Sequence, residues 1–88
     1  MMININDFKK KIIYRSTYRG TKEMDKLLGL FTKKIINDLN ESELIDLSNL
    51  LDIDDDNLYK LNQGIKIKIN IKMNRVVELF MNFKYNEN

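Results

Sequence analysis

This 88-residue chain contains no histidine and no cysteine, so it has neither an imidazole base nor a thiolate nucleophile. Its chemically versatile groups gather in YRSTYRGTKEMD, Tyr14 to Asp25, where Arg15, Arg19, Lys22, Glu23 and Asp25 surround Gly20. Glu23 and Asp25 are two residues apart, so on a helix they do not share a face and cannot act as a paired acid and base. With three glycines in the whole chain, no glycine-rich phosphate loop can be assembled. No catalytic residue is assigned, and an autonomous enzyme is not expected.

The same residues suit recognition better than catalysis. Arginine's planar fork matches carboxylates and clustered carbonyls, and a glycine admits close approach of another backbone. Arg15, Arg19, Gly20, Glu23 and Asp25 are therefore the candidate partner-binding residues. The competing reading is architectural: a glycine-broken turn whose acids cap the next helix.

A second stretch, DIDDDNLYKLNQ from Asp52 to Gln63, begins like a calcium loop. Such a loop takes acids at positions 1, 3 and 5, glycine at 6 and a bidentate glutamate at 12. Asp52, Asp54 and Asp56 fit the first three positions. Asn57 and Gln63 stand where the turn and the closing ligand belong, so capping acids are the better account. No metal site is assigned.

The net charge of +2 conceals segregation. Residues 1–34 carry +6, residues 35–59 carry −8 and residues 60–88 carry +4. A dipolar chain suits a protein partner with patches of both signs better than it suits a polyanion, so nucleic acid is not the expected partner. No run approaches the roughly 20 apolar residues of a membrane span. Without cysteine, disulfides cannot hold the fold together. These features lead to the expectation of a soluble cytoplasmic protein, monomeric when alone, without direct membrane insertion.

Positioning the YRSTYRGTKEMD block requires helices on both sides. Period-3.6 patterning predicts an all-α fold: a small five-helix bundle in one domain over residues 1–88. The first helix is expected over about 6–18, with Phe8, Ile12 and Ile13 inward. Gly20 interrupts, and Thr21 caps a second helix over 22–38, with Met24, Leu27, Leu28, Phe31, Ile35 and Leu39 on one side. A third helix over 41–52 opens on Asn40 and Glu43, a capping-box pair. A fourth over 55–63 is capped by Asp54, stopped by Gly64, and packs through Leu58, Tyr59 and Leu61. GIKIKINIK alternates like a strand, but no other segment can pair with it, so Ile65 to Ile69 is expected to be an extended connector. The last helix is expected over 70–84, using Met73, Val76, Val77 and Phe80, before a frayed polar tail.

YRSTYRGTKEMDKLLGLF resembles the signature region of the bacterial FAD assembly factor family (SdhE-type). That family is homologous to the mitochondrial succinate dehydrogenase assembly factor that promotes flavinylation. Arg19, Gly20 and Glu23 match its RGxxE motif, and Asp25 matches the acid that follows. LLDIDDDNLYKLNQG resembles a second block of the family: a leucine pair, an acidic turn, Leu-Tyr or Leu-Phe, and a closing glycine. The likeness runs from about Ile12 to Gly64 and more loosely to Phe83. Asp54 and Asp56 occupy a turn where proline is common, and Leu61 stands where tryptophan is common.

The resemblance implies a five-helix assembly factor that binds the flavoprotein subunit of succinate dehydrogenase, and also of fumarate reductase. It would promote covalent attachment of FAD to a histidine of that subunit. A chain without histidine cannot itself carry the histidyl flavin, so no stably bound cofactor is expected here. The other function considered is a small nucleic-acid-associated or antitoxin-like helical protein.

Overall fold

Each of the five helices among the described residues opens on a polar side chain that accepts a hydrogen bond from the backbone three residues on. The caps are Asn4, Thr21, Asn40, Asp54 and Asn74, the residue types that best satisfy the otherwise unpaired N–H groups of a first turn. The computed structural model describes residues 4–84. Its elements are α1 (Ile5–Thr17), α2 (Lys22–Ile35), a single 3₁₀ turn (Ile36–Asp38), α3 (Glu41–Leu51), α4 (Asp55–Gln63) and α5 (Arg75–Met81). The fold is all-α, and among the described residues there is no strand. Among the described residues no helix is long and apolar enough to cross a membrane.

Helix α1 packs on α2 and α3, while α5 packs on α3 and α4. Between them Leu28, Phe31, Leu47, Leu58, Val76 and Phe80 are fully buried. Phe31 is the hub. Its ring lies 5.1 Å from that of Phe80 and 5.4 Å from that of Phe83, both tilted, the arrangement that aromatic quadrupoles favour. Asn62 reinforces this junction. Its buried amide donates to the carbonyls of Phe80 and Phe83 at 2.9 and 2.8 Å, tying α4 to the end of α5.

The anticipated inward residues of α1 and α2 are packed, with Ile12 buried and Phe8 and Ile13 against the core. The anticipated start of α3 and the anticipated stop of α4 both operate. Asn40 and Glu43 close a reciprocal capping box, and Gly64 ends α4 in the left-handed conformation at φ 76°. The second helix narrows into the 3₁₀ turn after Ile35 instead of continuing as α-helix to residue 38.

Further expectations need correcting. The last helix begins at Arg75, not at residue 70, and ends at Met81. Asn74 accepts from the Val77 N–H and starts the helix there. The β-branched residues before it favour extended chain, and Ile67 and Ile71 reach the core from that conformation. Met73 is consequently exposed, and the connector runs over 65–74. Tyr59 is also exposed, since the inward line of α4 passes through Leu58, Leu61 and Asn62. The expected polar tail beyond Lys84 lies outside the described residues.

Candidate docking site

The corner between α1 and α2 is built by hydrogen bonds from both sides of Gly20. Asp25, in the first turn of α2, accepts the backbone N–H groups of Arg19 and Gly20. Thr21 accepts from Met24 at 3.2 Å. Gly20 takes φ 121°, a conformation that side-chain-bearing residues rarely adopt. A Cβ there would meet nothing within 4 Å. Within the chain, then, glycine is required by the backbone path and not by crowding.

The two arginines turn away from this corner and into the fold. Arg19 donates Nε to Asp55 at 2.8 Å, Nη1 to the Leu51 carbonyl at 2.7 Å and Nη2 to the Ile53 carbonyl at 2.8 Å. Its side chain is 12% exposed. The guanidinium thus closes the C-terminal end of α3, where the macrodipole favours a cation, and grips an acid in the first turn of α4. Arg15 donates to the Ser48 hydroxyl at 2.8 Å and pairs with Asp52. The YRSTYRG stretch is therefore stapled to the α3–α4 corner by two guanidinium forks.

This accounts for the acidic block as well. Asp52 holds Arg15, Asp55 holds Arg19, Asp56 holds Lys60 at 3.0 Å, and Asp54 caps α4. The side-chain amide of Asn57, then its backbone N–H, keep the Asp54 carboxyl below its ordinary value. Among the described residues no group of three or more candidate ligands is placed to hold a metal.

Of the five candidate residues, the structure brings Arg19, Gly20 and Asp25 together, with Arg15 one helical turn back on α1. Arg15, Arg19 and Asp25 have internal partners. Gly20 and Glu23 are exposed, and the Glu23 carboxylate makes no hydrogen bond or ion pair with any described residue. Beside them stand side chains that the sequence reading did not select. Tyr14 and Tyr18 are each 67% exposed, with ring centroids 4.7 Å apart. Their spacing of four on α1, off the line of Phe8 and Ile12, was the available signal. Exposed tyrosines are the amphipathic anchors that protein interfaces favour. On α4, Tyr59 overlooks a notch that Glu23 also lines.

A family model described as the flavinator of succinate dehydrogenase matches residues 10–84. The chain belongs to that family. The match takes in the Arg19–Glu23 corner, both arginine staples and the acidic turn they grip. A curated relative is the mitochondrial succinate dehydrogenase assembly factor 2 of Scheffersomyces stipitis, 41% identical over 51 residues. The aligned part is 58% of this chain and 34% of that protein, so the chain covers about a third of its relative's length. No solved structure matches the chain significantly.

Proposed function

We propose that this protein binds the flavoprotein subunit of succinate dehydrogenase, and of its fumarate reductase relative, and promotes covalent attachment of FAD without catalysing the bond itself. The observation that carries the reading is family membership over residues 10–84 combined with the exposure of Gly20 and Glu23 at the RGxxE corner. Gly20, Glu23, Tyr14 and Tyr18 form the docking face. Arg15, Arg19 and Asp25 shape it from behind by fixing the turn against α3 and α4.

The chain's inventory supports a helper role. With no histidine, the flavin-bearing histidine belongs to the client. The notch beside Glu23 is about 130 Å³, below the roughly 300–1,000 Å³ of small-molecule sites, which supports a reading in which the client holds FAD. A helper of this kind acts by binding the attachment-competent conformation of the client more tightly than the others, because only differential affinity shifts a conformational equilibrium. We place this action in the cytoplasm, with the factor monomeric between encounters. Arg15 and Arg19 are each paired with a carboxylate of this chain, which leaves Lys22 as the exposed cation of the corner, beside Glu23; that mixture of signs supports a protein partner over a polyanion.

In-gel flavin fluorescence of the flavoprotein subunit, expressed with and without this protein, tests the reading. Fluorescence that rises with the protein, and falls back with Glu23→Ala while the variant stays folded, is the expected result. Equal fluorescence with and without the protein overturns it.

A further inference from the structure

Between α2 and α4 lies a notch of about 130 Å³, lined by Glu23, Met24, Leu27, Tyr59, Asn62 and Gln63. Met24 and Leu27 are buried and form its apolar floor. The Tyr59 ring, half-exposed, forms one wall. Asn62 contributes surface but no free donor, since its amide already serves Phe80 and Phe83. Its oxygen accepts from the Gln63 amide at 3.0 Å, which leaves the Gln63 Oε1 open as an acceptor. Glu23 adds two carboxylate oxygens with no internal partner among the described residues.

Resting on the docking role proposed above, we infer that this notch receives an arginine side chain of the flavoprotein client. The single formal charge in the lining is the Glu23 carboxylate, beside the Gln63 Oε1 acceptor; its donors are the Tyr59 hydroxyl and the second Gln63 N–H. A carboxylate brought there would be repelled by Glu23, and a neutral carbonyl would leave that charge without a partner. Arginine is the side chain with five donors and no acceptor. Its aliphatic stem suits the Met24–Leu27 floor, its plane stacks on the Tyr59 ring, and its fork matches the Glu23 carboxylate. Lysine would satisfy the charge but neither the stacking nor the two-point geometry. The notch is small enough to take one long side chain. It therefore sets register between the two proteins, while Tyr14 and Tyr18 supply contact area.

The test is calorimetric titration of the purified full-length protein into the succinate dehydrogenase flavoprotein subunit. Glu23→Gln should raise Kd about tenfold, and Glu23→Lys by about a hundredfold or more, through loss and then reversal of the charge-assisted pair. Tyr59→Leu, which keeps the apolar wall but removes the ring, should cost several-fold. Both positions are exposed, so Tyr59→Leu should leave the melting curve in place, while Glu23→Lys, in the first turn of α2, should lower it by only about a few degrees. Single Arg→Glu changes across the client surface should reveal one that restores binding to Glu23→Lys. Parental affinity for Glu23→Gln overturns the inference while leaving the docking role intact. Weakening by Tyr59→Leu with no effect of Glu23→Gln does the same, identifying an apolar occupant. Absence of binding by the unaltered protein instead overturns the docking role itself.

Discussion

Arg19→Ala is the substitution that separates architecture from recognition in the RGxxE motif. The parent guanidinium makes three hydrogen bonds at 2.7–2.8 Å, to Asp55 and to the carbonyls of Leu51 and Ile53. Removing it leaves two carbonyls at the α3–α4 turn without their donor. Hydrogen bonds to a charged group contribute about 1.5–3 kcal/mol each when well shielded. The Asp55 side chain is 32% exposed and rehydrates, so that pair adds a fraction of a kcal/mol. Water also reaches part of the turn, and the net loss should be about 2–4 kcal/mol. Against a total stability of about 5–10 kcal/mol for a domain of this size, that is a large share. It should lower the melting temperature by roughly 15 °C. Arg19→Lys keeps the charge but not the fork and should lose about half as much. Urea unfolding followed by circular dichroism gives both values. If Arg19→Ala unfolds within about 0.5 kcal/mol of the parent yet no longer supports flavinylation, the guanidinium belongs to the client interface and the staple reasoning is wrong.

Other outcomes follow from the same contacts. Asn62→Leu should cost about 2 kcal/mol in urea melts, because the two buried hydrogen bonds from its amide to the Phe80 and Phe83 carbonyls are lost; a neutral result would refute that account. The fully buried Thr32 hydroxyl has no hydrogen-bond partner among the described residues, so Thr32→Val should raise stability by about 1 kcal/mol in the same assay. The carboxyl of Glu43 is held below its ordinary value first by the Arg75 guanidinium and then by the Asn40 N–H, and Asp54 is held low by Asn57. The contribution of both is complete above the ordinary carboxylate range and lost as pH falls through their lowered folded-state values. Glu43→Gln with Asp54→Asn should therefore flatten the acid limb of a stability-versus-pH curve, leaving caps of similar shape.

Much of the local structure was legible in the sequence because it depends on neighbours a few residues apart. Thr21, Asn40 and Asp54 announce helix starts, since each cap bonds within its own first turn. Gly64 announces a stop for the same reason. The ladder from Met24 to Ile35 marks a buried face by spacing alone. The RGxxE corner was likewise visible as a place, with both charge signs around a glycine. Which way its side chains point was not. Arg19 finds its acceptors more than thirty residues away at Leu51, Ile53 and Asp55, and Arg15 finds Ser48 and Asp52. No local rule separates such a staple from an outward anchor, because the two differ only in what the fold places opposite. The start of α5 and the outward turn of Tyr59 were decided in the same way. Ile71 packs on the core from extended chain, and Asn62 takes the inward position of α4 because the ends of Phe80 and Phe83 need its donors. Side-chain chemistry and spacing determined the helices and their caps; tertiary packing determined which charged groups remain free to meet a partner.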